Sequence, residues 1–265
     1  MTALRLGAVS YLNTKPLVYG LDAIPEQFDL RFDVPAKCAT LLHERNVDLG
    51  LIPAIEFLRG ADDYWMVPGV AIASEGDVAS VAVFSTKPIE QVETIALDLS
   101  SRTSVALTKI LCAKRWGVAP VFTSAEPELA AMLARADAAL VIGDPAMAID
   151  ADALGLHKVD LGGEWNAMTG LPFVYAMWTG RQGAASPAQC SALRKARDDG
   201  EANLARIAAQ AGAGDAGRTD RALRYLRDNL KYGLGQREAA GLRRFHELAV
   251  ELGLADTVKS LNFYS

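Results

Sequence analysis

The chain has 265 residues, enough, at about 150 residues per domain, for one large domain or two small ones. It is 51% hydrophobic and 22% charged, which excludes disorder, coiled coil and collagen-like repeats. The 27 basic and 32 acidic residues leave a net charge of −5, without the basic excess of a nucleic-acid binder, so no nucleic-acid partner is expected.

Short apolar runs alternate with helical spacing along most of the chain, which predicts an α/β fold. Leu4–Val9 reads as a strand, Pro16–Leu21 as a helix opening behind a loop, and Phe28–Asp33 as an alternating strand. A helix over Ala36–Arg45 and a strand over Asp48–Ile52 complete a βαβ-like unit. Val67–Ala73 and Val78–Phe84 read as strands around a Ser74–Asp77 turn. Strand Ile95–Leu97, helix Ser101–Trp116, strand Val121–Phe122 and helix Pro127–Ala136 follow. Ala138–Ile142 is a buried-type strand that breaks at Gly143-Asp144-Pro145, and His157–Asp160 and Pro172–Trp178 are strand-like. Beyond Gly180 three helices are predicted, over Pro187–Gln210, Thr219–Leu230 and Gln236–Leu252, with Ala211–Gly217 as a connector.

Cys38, Cys112 and Cys190 form no Cys-x-x-Cys pair and read as small buried thiols. His43 and His246 lie beside glutamates on helices and read as solvated, and His157 is strand-like, so histidine acid–base chemistry finds no support. No G-x-G-x-x-G follows a strand, and no Walker loop, H-E-x-x-H or G-x-S-x-G occurs. No cofactor or metal is therefore expected. No apolar window of about 18 residues and no basic stretch leading into an apolar one occurs, so no membrane partner is expected and the cytoplasm is the expected location.

The run Ser100-Ser101-Arg102-Thr103-Ser104 opens a helix directly after a strand. Free N–H groups and the positive dipole end make such a start an anion site. Plain capping needs only one of these hydroxyls.

Five segments together resemble one family: Val9–Leu17 (VSYLNTKPL); Pro68–Gly76 with Val78–Val81; Leu97–Ser104 (LDLSSRTS); Ile142–Ala146 (IGDPA); and Trp165 with Thr169–Phe173. They are similar in order and spacing to the chorismate dehydratases of the futalosine route to menaquinone. The resemblance implies a two-lobed fold like that of type II periplasmic binding proteins, with central mixed sheets, a helical C-terminal part and the ligand in the cleft. Lobe one would be 1–85 plus 176–265, lobe two 86–175, with crossings near Phe84-Ser85 and Val174-Tyr175. It also implies a lyase that removes water from chorismate, its small-molecule substrate, to give 3-[(1-carboxyvinyl)oxy]benzoate. Asn13 and Ser80 would be the catalytic pair. Thr103 and Ser104, with the helix start at Ser101, would hold a carboxylate, and Gly143 and Asp144 would close the cleft. Arg102 would be a substrate contact or a solvated first-turn side chain. Tyr11, Trp165 and Phe173 would flank the ring or belong to the core. Two rivals share the fold: a non-catalytic solute-binding protein, and the sister naphthoate synthase, which resembles a His followed by an acid where this chain has Gly143-Asp144.

Overall fold

The computed structural model describes residues 3–265. The chain runs through β1 (Leu4–Val9), β2 (Phe28–Asp33), α1 (Pro35–His43), β3 (Leu49–Pro53), α2 (Ala54–Arg59) and β4 (Tyr64–Ser74). It continues through β5 (Val81–Ser85), β6 (Thr94–Asp98), α3 (Arg102–Leu111), β7 (Val121–Ala125), α4 (Leu129–Leu133), β8 (Ala138–Ile142), α5 (Gly143–Ala148), β9 (His157–Asp160) and α6 (Leu161–Thr169). It ends with β10 (Phe173–Arg181), α7 (Pro187–Ala202), α8 (Leu204–Gly212), α9 (Ala216–Arg224), α10 (Gln236–Glu251) and β11 (Asn262–Phe263).

Two mixed sheets result. The first has the order β11-β4-β10-β3-β1-β2, the second β7-β6-β8-β5-β9. Interior strands are continuous apolar runs because both their faces are covered: every residue of β3, β5 and β8 is buried. Strand β2, at an edge, buries only Phe28, and its other residues are half-buried or exposed.

Phe84 and Ser85 lie within β5, in the second sheet. The first passage between sheets is therefore earlier than the sequence suggested, between Ser74 and Val81. The return lies between Asp160, ending β9, and Phe173, opening β10. Apolar periodicity cannot distinguish these positions, because β4 and β5 are both buried runs separated by a short turn.

Three helical expectations change. Pro187–Gln210 is two helices, broken at Asn203. Ala211–Gly217 is largely helical, with Asp215 capping α9 by accepting the Arg218 N–H at 2.7 Å. Gly212 permits this tight corner, since a Cβ there would fall 1.9 Å from Thr219 Oγ1. The helix opening near Pro16 is a 3-10 turn over Leu12–Val18.

Among the described residues no helix is long and apolar enough to cross a membrane. Cys38, Cys112 and Cys190 are buried and unpaired. His246, expected on a solvated face, is fully buried against the Ala54 carbonyl, and burial depresses its pKa to about 4. His43 is likewise engaged, between Glu56 and Tyr64. Phe245 turns His246's side of α10 into the core, where Trp165, Phe173 and Phe245 pack edge to face with centroids 5.0–6.3 Å apart. Trp165 and Phe173 are thus core residues.

Candidate functional site

A cavity lies between the sheets. Leaving aside the core residues Trp165 and Phe173, six of the nine residues singled out from the sequence line it: Tyr11, Asn13, Ser80, Ser101, Ser104 and Gly143. Tyr11 and Asn13 follow β1. Ser101 and Ser104 open α3 at the end of β6. Gly143 follows β8, and Ser80 precedes β5. The strands thus deliver their ends, and the loops after them, to one cleft.

Ser80 is held from several sides. Ala79 has φ +64°, a left-handed conformation that turns the chain just before it. The Asp160 carboxylate fixes this turn by accepting the N–H groups of Val78 (3.0 Å) and Ala79 (2.7 Å), while also capping α6. The Ser80 carbonyl accepts the Gly143 N–H at 2.7 Å. The Tyr225 hydroxyl donates to Ser80 Oγ at 2.8 Å. Burial pushes the Tyr225 pKa up by more than its hydrogen bonds with Ser80 and Asn13 pull it down, so Tyr225 stays protonated and is the donor. The proton of Ser80 is then free for the cavity.

At the start of α3, Ser101 Oγ accepts the Ser104 N–H at 3.4 Å and donates to Ser104 Oγ at 2.7 Å. The Ser104 hydroxyl proton is left over, beside the positive end of the helix. The capping expected at this start is present, through Ser101.

The remaining three do not line the cavity. Thr103 Oγ1, expected on a carboxylate, accepts the Ile55 N–H at 3.3 Å and so serves α2. Arg102 donates to Glu56 Oε2 at 2.6 Å instead of facing a ligand. Asp144 accepts the Leu12 N–H at 3.3 Å across the cleft and faces an outer depression. Burial raises the Asp144 pKa against the opposing effects of that N–H and of Lys15.

A latch therefore spans the cleft beside the cavity. Leu12 and Asp144 are bonded, and a Cβ on Gly143 would fall 3.0 Å from the Tyr11 ring. Gly143 has φ +70° as well. Gly143→Ala combines left-handed strain with this collision, so the latch should spring open, lowering Tm by several degrees and weakening ligand binding. Differential scanning calorimetry and a binding titration check this.

Sequence reasoning missed Tyr175 and Tyr225. Tyr175, on β10, lines the cavity and meets Ser74 Oγ at 3.1 Å. Tyr225 comes from the helical end, 145 residues from Ser80. No local motif marks either. The cavity as a whole is a set of hydroxyls and one amide set in apolar walls such as Ile72, Val78 and Ile142. No lining side chain is a carboxylate, an imidazole or a cation. Such donors suit the oxygens of a small ring compound.

A family profile described as menaquinone biosynthesis matches residues 4–251. The chorismate dehydratase of Thermus thermophilus is 32% identical over 258 residues, covering 91% of this chain and 93% of that protein. Among solved structures, protein AF1704 of Archaeoglobus fulgidus superimposes with a TM-score of 0.74 at 18% identity, covering 95% of this chain and 98% of that one. The alkanesulfonate-binding protein SsuA of Xanthomonas axonopodis, bound to MOPS, gives 0.69 at 15% identity, covering 97% and 95%. The Candida albicans CA3427 product, which has the generic periplasmic binding protein fold, gives 0.67 at 8% identity, covering 98% and 92%. These likenesses identify the architecture as periplasmic-binding-protein-like, and the match over nearly the whole chain places this protein in the menaquinone-biosynthesis family.

Proposed function

We propose that this chain is a chorismate dehydratase, a hydro-lyase of menaquinone biosynthesis, and that the inner cavity is its reaction site. Two findings support this: the relative that acts on chorismate aligns over nearly the whole chain, and the cavity presents hydroxyl and amide donors at a helix start. The two sheets would act as the two lobes of a hinged cleft. The cytoplasmic location belongs to the same proposal and rests on the biosynthetic role of the relative.

Chorismate carries a ring carboxylate, a second carboxylate on its enolpyruvyl ether, and a ring hydroxyl. The C–H bond at the ether-bearing carbon is vinylogous to the ring carboxylate. Its electron pair can therefore delocalise onto that carboxylate when the proton leaves. The neighbouring C–O bond then breaks, the ring becomes aromatic, and one water departs. Ser101 and Ser104, with the N–H groups at the start of α3, would hold the ring carboxylate where this charge develops. Ser80 and Asn13 would hydrogen-bond the departing hydroxyl and fix its geometry.

With no basic side chain lining the cavity, the enolpyruvyl carboxylate is the proton acceptor in this reading. The carboxylic acid so formed returns the proton to the leaving hydroxyl, so atoms and charge balance. Incubation of the purified protein with chorismate, followed by chromatography, tests the function. Conversion to 3-[(1-carboxyvinyl)oxy]benzoate is the expected result; tight binding with chorismate recovered unchanged would make the chain a solute-binding protein.

Asp144 is assigned to the latch and not to proton transfer. Asp144→Asn keeps a carbonyl oxygen for the Leu12 N–H and should retain kcat within about threefold, whereas a general base would lose about 10²-fold or more. Steady-state kinetics distinguish the two.

A further inference from the structure

Outside the latch lies a second depression. Leu12 and Asp144 line it, while their chain neighbours Tyr11 and Gly143 line the inner cavity. The latch is thus the partition between the two spaces. The facing wall is α9, which contributes Arg218, Arg221 and Ala222. Residues three and four apart share a helix face, so Arg221 and Ala222 stand directly above Tyr225. A single helical face therefore carries guanidinium groups outside the latch and the Ser80-bound hydroxyl inside it.

The charges here have no structural use. Arg218 gives one N–H to the Ala211 carbonyl at 3.4 Å, and among the described residues neither Arg218 nor Arg221 has a carboxylate partner. By contrast, Arg227 pairs with Asp228 and Arg237 with Glu75. The one carboxylate lining the depression, Asp144, is tied to the Leu12 N–H and sits near Lys15. The protein carries a net charge of −5 and its inner cavity has no cationic side chain. Of the side chains lining the two spaces, only Arg218 and Arg221 are cationic.

We propose that Arg218 and Arg221 form an outer docking site for a carboxylate of a small dianionic ring acid, which waits there until the latch opens to the inner cavity. This rests on the reading of the inner cavity as the reaction site, and it adds a second, distinct binding position on the way in. The site acts on capture and not on chemistry, because neither guanidinium reaches the inner cavity.

The test is the double variant R218Q/R221Q, whose exposed positions tolerate glutamine in a helix. At low ionic strength its kcat/KM for chorismate should fall about tenfold with kcat unchanged, the range of a lost steering field. Added salt should lower kcat/KM of the unaltered protein but hardly affect the variant. A variant with the same kcat/KM and the same salt dependence as the unaltered protein overturns the proposal. The association rate of chorismate, followed by stopped-flow tyrosine fluorescence, needs no turnover. A slowed association in the variant supports the outer site, and an unchanged one overturns it. Failure of the unaltered protein to turn over chorismate overturns only the dehydratase reading.

Discussion

Ser80→Ala is expected to lower kcat for chorismate dehydration by about 10²- to 10³-fold, the usual consequence of removing one preorganised donor from a site where charge moves. Binding should weaken far less, because the carboxylate position at Ser101 and Ser104 remains. The fold should also survive. Ser80 is buried and its hydroxyl meets Tyr225, so alanine removes one of the two side-chain partners of the Tyr225 hydroxyl and leaves Asn13, at a cost of about 0.5–1.5 kcal/mol. Tyr225→Phe separates the two roles. It keeps the Ser80 hydroxyl but frees its orientation, and should lower kcat by about tenfold with KM little changed. Single-turnover kinetics with chorismate, alongside calorimetric Tm values, give both numbers.

The second large effect concerns stability. The Glu56 carboxylate is 3% exposed and touches three partners: His43 Nε2 at 3.2 Å, Arg102 Nη1 at 2.6 Å and Arg59 Nη1 at 3.3 Å. Burial would push its pKa up, but the His43 hydrogen bond and the charges of Arg102 and Arg59 outweigh this and hold it at about 2, against an ordinary 4.5. A depressed carboxyl stabilises the folded state fully above about pH 4.5 and loses that contribution as pH falls toward 2. The shift corresponds to about 3 kcal/mol at neutral pH. Glu56→Gln should remove it, lowering Tm by about 5–10 °C at pH 7 and flattening the dependence of stability on pH between about 5 and 2. Denaturant unfolding across that range provides the check. Because Glu56 holds Arg102 and Ile55 holds Thr103, α2 grips the first turn of α3, and the variant should also bind chorismate more weakly.

These two effects show which parts of the molecule could be read from residues alone. Strands β1, β2, β6 and β8 are short apolar or alternating runs bounded by turn residues, and their burial follows from composition. The start of α3 was legible because hydroxyls at a helix opening satisfy free N–H groups wherever they occur. What those hydroxyls face was not. Thr103 is adjacent to Ser104, yet it turns to α2 while Ser104 turns to the cavity, since consecutive helical positions point about 100° apart and only the packed neighbours decide their use. Arg102 read as exposed or substrate-facing because its partner Glu56 lies 46 residues away. The Ala211–Gly217 segment looked loose from its glycines and alanines, yet those small residues are what bring α8 and α9 together. That corner in turn places Tyr225 against Ser80 and Arg221 against the latch.

The central claim is that a cavity of hydroxyls and an amide lets the substrate supply its own base. It is tested most directly by comparing chorismate with an analogue in which the enolpyruvyl carboxylate is a neutral amide. Both should bind, as measured by calorimetric titration, because the ring carboxylate and ring hydroxyl are unchanged. Chorismate should be dehydrated, with no detectable aromatic product from the amide. Formation of the aromatic amide at a rate comparable to that of chorismate would contradict it and require a base on the protein.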